Sequence, residues 1–252
     1  MANFEDWCEF KYWTVGKHDL HQVTADPYKK KQAIANVAAA VPQAYVAPGR
    51  LSQLLQVLGK KKAGAYLADK LPTSKKLRSG DLGEVLCTYY VLQHTEYNQG
   101  IWRLRWKDTR SMSMRGEDVL GFELAGPNQL RVLKAESKSR QAMSSTVIGE
   151  AREALCANNG LPSPHAMAFV ADRLSETGQD ALSAAIVHAT LKNKLKPNQV
   201  KHLLFSFSAN DPSQMLANSL EAYAGPCRQL YVGLQVSDHQ NFIEAAFAAV
   251  RV

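Results

Sequence analysis

The segment Gln129-Leu130-Arg131-Val132-Leu133-Lys134-Ala135-Glu136-Ser137-Lys138 decides the fold of this chain. Its apolar residues predict a buried strand, and Glu136 and Lys138 stand near the end of that strand. Because side chains on a strand alternate between the two faces of a sheet, these two charged groups point to the same side. A charged pair at the end of a buried strand is costly unless it is paired, hydrated or bound to a metal ion. The pair is therefore a candidate site.

A second strand is predicted just upstream, over residues 117–124, with Gly126-Pro127-Asn128 as the turn of a hairpin. If the turn centres near Pro127, the numbers of paired residues sum to about 254, which places Asp118 opposite Glu136 on one face. Carboxylates paired in this way raise each other's pKa unless a cation lies between them. Mg²⁺ is suited to such a place because it prefers oxygen ligands from one or two carboxylates, water and phosphate.

A third carboxylate is available on the helix predicted over residues 74–94. In Gly80-Asp81-Leu82-Gly83-Glu84-Val85-Leu86, Glu84 lies at the edge of the apolar stripe and is assigned to the site. Gly83 beside it would let the helix approach a sheet closely. Asp81 falls in the first turns, where an acid interacts favourably with the helix dipole, and is given a structural role.

Patterns in the rest of the chain predict an α/β fold. Further helices are predicted over residues 28–41, 50–70, 144–157 and 178–193, near 213–223, and from 238 onward. Further strands are predicted over residues 101–106, 166–171, 201–208 and 229–236. We expect a mixed central sheet flanked by helices in residues 73–252, preceded by a basic helical N-terminal extension over residues 1–72.

The charge of the chain is uneven. The net charge is +7, and between Lys17 and Arg78 twelve Lys or Arg residues stand against three acids. Such a surface is typical of proteins that bind a phosphate backbone, although it can equally serve solubility. No apolar run approaches the roughly 20 residues that span a bilayer, and the N-terminus lacks the pattern of a signal peptide. With four widely spaced cysteines and no CxxC motif, this predicts a cytoplasmic protein with reduced thiols.

The ordered set of acidic and basic residues resembles the core of the PD-(D/E)xK nucleases, which have the restriction-endonuclease-like fold. Its parts are Gly83-Glu84 on a helix, Glu117-Asp118 at the start of one strand and Glu136-Ser137-Lys138 on the next. Glu117 stands where the name of the motif has proline, so the sequence departs from the pattern there.

Three longer stretches are similar to the HamA family, the nuclease subunits of the Hachiman anti-phage defence system. They are Gly80–Leu86, Arg115–Asp118 and Leu133–Lys138. The related Abp-type defence nucleases carry a similar domain. The resemblance implies a DNA-cleaving effector that works with a separate helicase-like ATPase, called HamB in Hachiman.

The resulting hypothesis is metal-dependent hydrolysis of DNA with low sequence specificity. Glu84, Asp118 and Glu136, together with the Ser137 carbonyl, would hold Mg²⁺ or Mn²⁺. Lys138 would position the attacking water or neutralise charge on the phosphate. The basic extension and the Arg103–Arg115 region would hold the DNA backbone without reading its bases.

Other interpretations stay open at this point. Glu136 and Lys138 can form a surface ion pair, Asp118 can cap a turn and Glu84 can be a solvated helix residue. The chain can also be a DNA-binding regulatory subunit that restrains or loads a helicase, with cleavage secondary or absent. A restriction-type enzyme with defined target sites is a third reading. Remaining candidates are the acids Glu117 and Glu123 and the general bases His94 and His165.

Overall fold

The computed structural model describes residues 2–112, 114, 116–126 and 129–251, with Gln99 described by its backbone alone. The strands are β1 (Cys8–Val15), β2 (His18–Ala25), β3 (Asn98–Gln99), β4 (Val119–Gly126), β5 (Gln129–Arg140), β6 (Val200–Ser208) and β7 (Arg228–Gln235). The α-helices are α1 (Lys30–Tyr45), α2 (Pro48–Lys70), α3 (Lys75–His94), α4 (Ser145–Cys156), α5 (Pro164–Glu176), α6 (Asp180–Leu191), α7 (Ser213–Glu221) and α8 (His239–Ala249).

The described strands form one seven-stranded sheet in the order β1-β2-β7-β6-β5-β4-β3. The four strands β2, β7, β6 and β5 run parallel to their neighbours in the centre, while β1, β4 and β3 join antiparallel at the two edges. Parallel strands need crossover connections, which helices supply here. The prediction of an α/β fold with a mixed central sheet flanked by helices is confirmed.

Two apolar layers hold the helices on the sheet. On one face Leu133, Phe205 and Val232 pack beneath α1, α3 and α8. On the opposite face Val132 and Leu204 pack beneath the layer of α4, α5, α6 and α7. Neighbouring residues of β5 therefore serve opposite layers, as the alternation of side chains on a strand requires.

The register predicted for the hairpin is confirmed. Val119 pairs with Ala135, and Leu124 pairs with Leu130. Every pair between these two keeps the parity that puts Asp118 and Glu136 on one face. The predicted turn residues Pro127 and Asn128 lie outside the described part of the chain.

The prediction of a helical extension before residue 73 is wrong for residues 8–25. β1 and β2 form a hairpin there, and β2 pairs in parallel with β7, so this segment belongs to the central sheet. The physical reason lies in the turn, where Gly16 adopts a φ of +60° that favours a tight two-residue connection. The two helices predicted in this region are confirmed as α1 and α2. A domain boundary at residue 72 stays a prediction.

Two further segments predicted as strands are helical. Residues 101–106 contain a 3₁₀ turn, Arg103–Trp106, because its arginines turn inward to polar partners instead of alternating across a sheet. Residues 166–171 lie within α5, whose start is fixed by Ser163, since its hydroxyl accepts the N–H of Ala166. A short apolar run does not distinguish a buried strand from a buried helical segment.

The described helices include none with the length and apolar character that a membrane crossing requires. All four cysteines are unpaired, and Cys156 is the exposed one among them.

Helix α3 lies directly on strand β5 at Gly83. A Cβ atom on this residue would lie 2.9 Å from the Ser137 hydroxyl oxygen and 3.2 Å from the Ser139 Cβ atom. At such distances an added side chain requires the helix or the two serines to shift, so the predicted close approach at Gly83 is confirmed. This contact brings the helix that carries Glu84 against the strand that carries Glu136.

Replacing Gly83 with alanine is expected to lower the free energy of unfolding. Overpacking at a tight contact costs about 1–3 kcal/mol, which exceeds the gain of about 0.5–1 kcal/mol that alanine brings to a helix interior. Gly80 on the same helix has open space around it, so Gly80→Ala is expected to stabilise the protein by that smaller amount. Urea denaturation of both variants measures the difference. A Gly83→Ala variant as stable as Gly80→Ala would contradict the close contact.

Candidate active site

Two of the three predicted acids meet through one arginine. The Arg103 Nη2 atom lies 2.9 Å from the Glu84 Oε2 atom and 3.1 Å from the Asp118 Oδ1 atom. Its Nη1 atom donates to the Gly116 carbonyl at 3.1 Å. The Arg103 side chain is only 12 % exposed, so these are ion pairs in a largely desolvated place. Arg103 thus joins α3 to the segment that enters β4.

Asp118 is also fixed to β5. Its Oδ2 atom accepts a hydrogen bond from the Ser137 N–H at 2.9 Å. The pairing of β4 with β5 begins at Val119 and Ala135. Beyond that pair, the Asp118 side chain rather than its backbone bonds to β5. The structure therefore brings Asp118 to the backbone of Ser137, the residue whose carbonyl is a predicted metal ligand.

Glu136 and Lys138 form the pair that the sequence predicts. The Lys138 Nζ atom donates to the Glu136 Oε1 atom at 2.8 Å. The two side chains are 21 % and 16 % exposed, for Lys138 and Glu136 respectively, so the pair is mostly buried rather than a solvated surface contact. It lies on the face of β5 that Val132 and Lys134 also use.

Burial shapes the acidity of this cluster. Desolvation raises the pKa of Glu84 to about 7, although Arg103 lowers it, and Asp118 adds a smaller upward effect. Desolvation likewise raises the pKa of Asp118, opposed by Arg103 and by the Ser137 N–H. The pKa of Glu136 is raised by burial and then by Asp118, against the effect of Lys138. Each of the three carboxylates therefore lies where its charged form is disfavoured unless positive charge is near.

The neighbouring acids have other partners. Asp81 is buried and accepts hydrogen bonds from the Tyr45 hydroxyl at 2.6 Å and from Lys107 Nζ at 2.7 Å. Its role is structural, as predicted, but the reason is this ion pair rather than the helix dipole. Glu117 accepts hydrogen bonds from the N–H of Ser163 at 2.6 Å and from its hydroxyl at 3.1 Å. Glu123 pairs with Arg131 towards the other end of the hairpin.

Three basic residues of the Arg103–Arg115 region, which was expected to hold the DNA backbone, have internal partners in the structure. Arg103 is bound to the carboxylates, Arg105 donates to the Gln43 carbonyl at 2.7 Å, and Lys107 is paired with Asp81. In this structure acids and a backbone carbonyl hold these three cations, so a direct role in holding the DNA backbone stays a prediction. Arg110 is partly exposed near Asp69, and Arg115 lies outside the described residues.

The two candidate histidines differ in position. His94 stacks with Tyr90 and packs against Phe10 at the far end of α3, away from the carboxylates. His165 lines a cavity that Asp118 and Arg103 also line. Sequence reasoning missed the role of Arg103, because nothing in its local pattern shows which distant acids it contacts.

The similarity of this chain to known proteins extends over nearly its whole length and is not confined to the site. The family model described as HamA matches residues 1–250. The chain belongs to the HamA family. It is 27 % identical over 227 residues to the Hachiman protein HamA of Bacillus cereus, which covers 88 % of this chain and 80 % of that protein. Since HamA is a component of the Hachiman defence system, membership implies a role in anti-phage defence.

The donor set of this HamA family member suits a hard divalent cation, because it offers only oxygen atoms from carboxylates and backbone. Within residues 2–112, 114, 116–126 and 129–251, no three His, Cys, Asp or Glu side chains stand close enough to hold a metal ion as placed. The Arg103 guanidinium instead lies between Glu84 and Asp118 and pairs with both. The residues therefore fit Mg²⁺ or Mn²⁺ in their chemistry, with Arg103 placed where a shared cation would lie.

The raised pKa of Glu84 predicts a pH-dependent cost. An acid with a raised pKa binds its proton more tightly in the folded state than in the unfolded state. The free energy of unfolding therefore falls as the pH rises from the ordinary pKa of a glutamate towards about 7. In EDTA, the free energy of unfolding of the wild type is expected to fall by up to roughly 3 kcal/mol between pH 5 and 8 because of Glu84, and Glu84→Gln is expected to remove this fall. Urea denaturation at several pH values measures it. The exposed Glu153→Gln is the control, and equal pH slopes for Glu84→Gln and wild type would sink the assignment.

Proposed function

We propose that this chain is a metal-dependent DNase of low sequence specificity and the effector of an anti-phage defence complex. The supporting observation is that Arg103 joins Glu84 to Asp118, and that Asp118 accepts the N–H of Ser137, which stands between Glu136 and Lys138 on β5. Burial raises the pKa of all three acids, which disfavours their charge unless cations are present. Carboxylates with perturbed pKa values cluster at functional sites, which supports the proposal.

The cation in this proposal is Mg²⁺, with Mn²⁺ as the alternative. Glu84, Asp118 and Glu136 would hold it together with the Ser137 carbonyl. When bound, it would orient the scissile phosphate and lower the pKa of the attacking water. The Arg103 guanidinium, which pairs with two of these carboxylates, would then be released towards phosphate oxygens, whose geometry it matches.

Lys138 has a role that needs no covalent intermediate. Its ammonium group is held beside the Glu136 carboxylate by the 2.8 Å hydrogen bond. In that position it would align the attacking water or neutralise the negative charge that grows on the phosphate in the transition state. Charge stabilisation of this kind acts strongly in a partly desolvated site.

The DNA backbone would be held by exposed lysines. Lys29-Lys30-Lys31 near the start of α1, Lys60-Lys61-Lys62 on α2 and Lys75-Lys76 on α3 are exposed. Contacts of this type recognise phosphates without reading bases, which supports low sequence specificity.

The proposed partner is a separate helicase-like ATPase. Membership in a family from a multi-component defence system supports this choice. A second candidate function is a DNA-binding regulatory subunit that restrains or loads that helicase. It is favoured by the position of Arg103, which lies between Glu84 and Asp118 and neutralises both.

Plasmid cleavage tests the proposal. Wild-type protein is expected to nick supercoiled plasmid in Mg²⁺ or Mn²⁺, and Glu136→Gln is expected to slow nicking by at least about 100-fold, because it removes a metal ligand and the partner of Lys138. Glu123→Gln is the matched control, since it lies on the same hairpin away from the cluster. Agarose gels give the rates.

Three results would decide against this reading. Nicking by Glu136→Gln at the wild-type rate would refute the site. Wild-type protein that binds DNA but never nicks it, alone or with a helicase and ATP, would favour the regulatory subunit. Discrete product bands would indicate defined target sites.

A further inference from the structure

A cavity of about 200 Å³ opens directly beside the carboxylate cluster. Its polar lining residues are Arg103, Glu117, Asp118, Ser163 and His165. Apolar side chains, mostly from β4 and α5, form much of the wall. Its main residues are Ile101, Leu120, Ala166, Phe169 and Val170. The cavity thus combines apolar and polar lining residues, and it shares Asp118 and Arg103 with the candidate active site.

The walls of this cavity are held by the fold. Glu117 accepts two hydrogen bonds from Ser163, which ties the segment before β4 to the start of α5. Leu120 and Val170 belong to the buried core between the sheet and α5. The Phe169 ring is held by Trp106, with ring centroids 6.5 Å apart, and by the Arg173 guanidinium 5.2 Å from its centroid. The space is therefore preformed.

Size and polarity select the occupant. A cavity of roughly 150 Å³ accepts a benzene-sized ring, so about 200 Å³ accepts one heterocyclic ring system but not a base pair. A nucleobase has an aromatic face for Phe169 and a polar edge for the polar lining residues. Because Asp118 lines both places, a phosphate at the carboxylates would put its own base within reach of the cavity.

We propose that this cavity receives one unpaired base of the DNA strand whose phosphate lies at Glu84, Asp118 and Glu136. The substrate is then single-stranded or locally unpaired DNA. This inference rests on the proposed nuclease function and names its substrate class. Taking a base out of a duplex costs a few kcal/mol, so intact duplex enters poorly unless strand separation precedes it. An ATP-driven strand-separating activity is the class of reaction that supplies such a substrate.

Filling the cavity tests the inference. Ala166 lines the cavity, whereas Ala168 is exposed on the same helix, so Ala166→Phe and Ala168→Phe form a matched pair. Binding of a fluorescein-labelled 12-nucleotide single strand, and of the corresponding duplex, is measured by anisotropy in EDTA and in Ca²⁺. Ala166→Phe is expected to weaken single-strand binding about 10-fold and leave duplex binding unchanged. Ala168→Phe is expected to match wild type in both.

A second variant guards against misfolding. Phe169→Ala enlarges the cavity and removes the stacking surface, so it is expected to weaken single-strand binding about 10-fold as well. Circular dichroism and thermal melting check the fold of each variant. Unchanged single-strand affinity in folded Ala166→Phe or in folded Phe169→Ala overturns the inference, as does an equal loss for single strand and duplex.

The binding arms do not depend on cleavage. Suppose that Ala166→Phe and Ala168→Phe differ in DNA binding as expected, but the wild-type protein never cuts DNA in Mg²⁺. That result would refute the nuclease function and leave the base cavity. Protein that cuts DNA but shows no such difference would refute the cavity alone.

Discussion

Burial of three carboxylates at one end of a hairpin is the constraint on which the rest of this site depends. Glu84, Asp118 and Glu136 come from different elements, and desolvation raises the pKa of each. Such groups are tolerated only with positive charge nearby. Arg103 and Lys138 supply that charge, and the close packing of α3 on β5 at Gly83 keeps the acids near these cations. The ion pairs of Arg103 and Lys138 and the packing of α3 on β5 thus together fix where the three carboxylates lie.

The hairpin at the centre of the site could be predicted from the sequence because its information is local. Alternation and a turn between two strands fix register, so the pairing of Val119 with Ala135 followed from spacing alone. The position of Arg103 could not be predicted in this way, since its partners lie 19 and 15 residues away and residues 101–106 alternate like a strand. Short apolar runs also leave helix and strand undecided, which is why residues 166–171 were expected in the sheet.

Residues 166–171 contribute to the proposed function because they form part of α5 rather than a strand of the sheet. As a helix, it presents Ala166, Phe169 and Val170 to the space beside Asp118. Asp118 and Arg103 belong to both the carboxylate cluster and the lining of the cavity, so under the proposals a phosphate and its base would occupy adjacent places. Family membership in a defence system agrees with an effector whose substrate must be made available by another activity. Under the proposals, this arrangement would favour unpaired strands over paired ones without reading their bases.

The most direct measurement is the location of Mn²⁺ by anomalous scattering in crystals of this protein grown with the metal. The account predicts one strong peak bound by Glu84, Asp118 and Glu136, with the Arg103 guanidinium moved out from between the first two. Crystals that hold Mn²⁺ elsewhere, or that at saturating metal still show Arg103 joining Glu84 to Asp118, would contradict it.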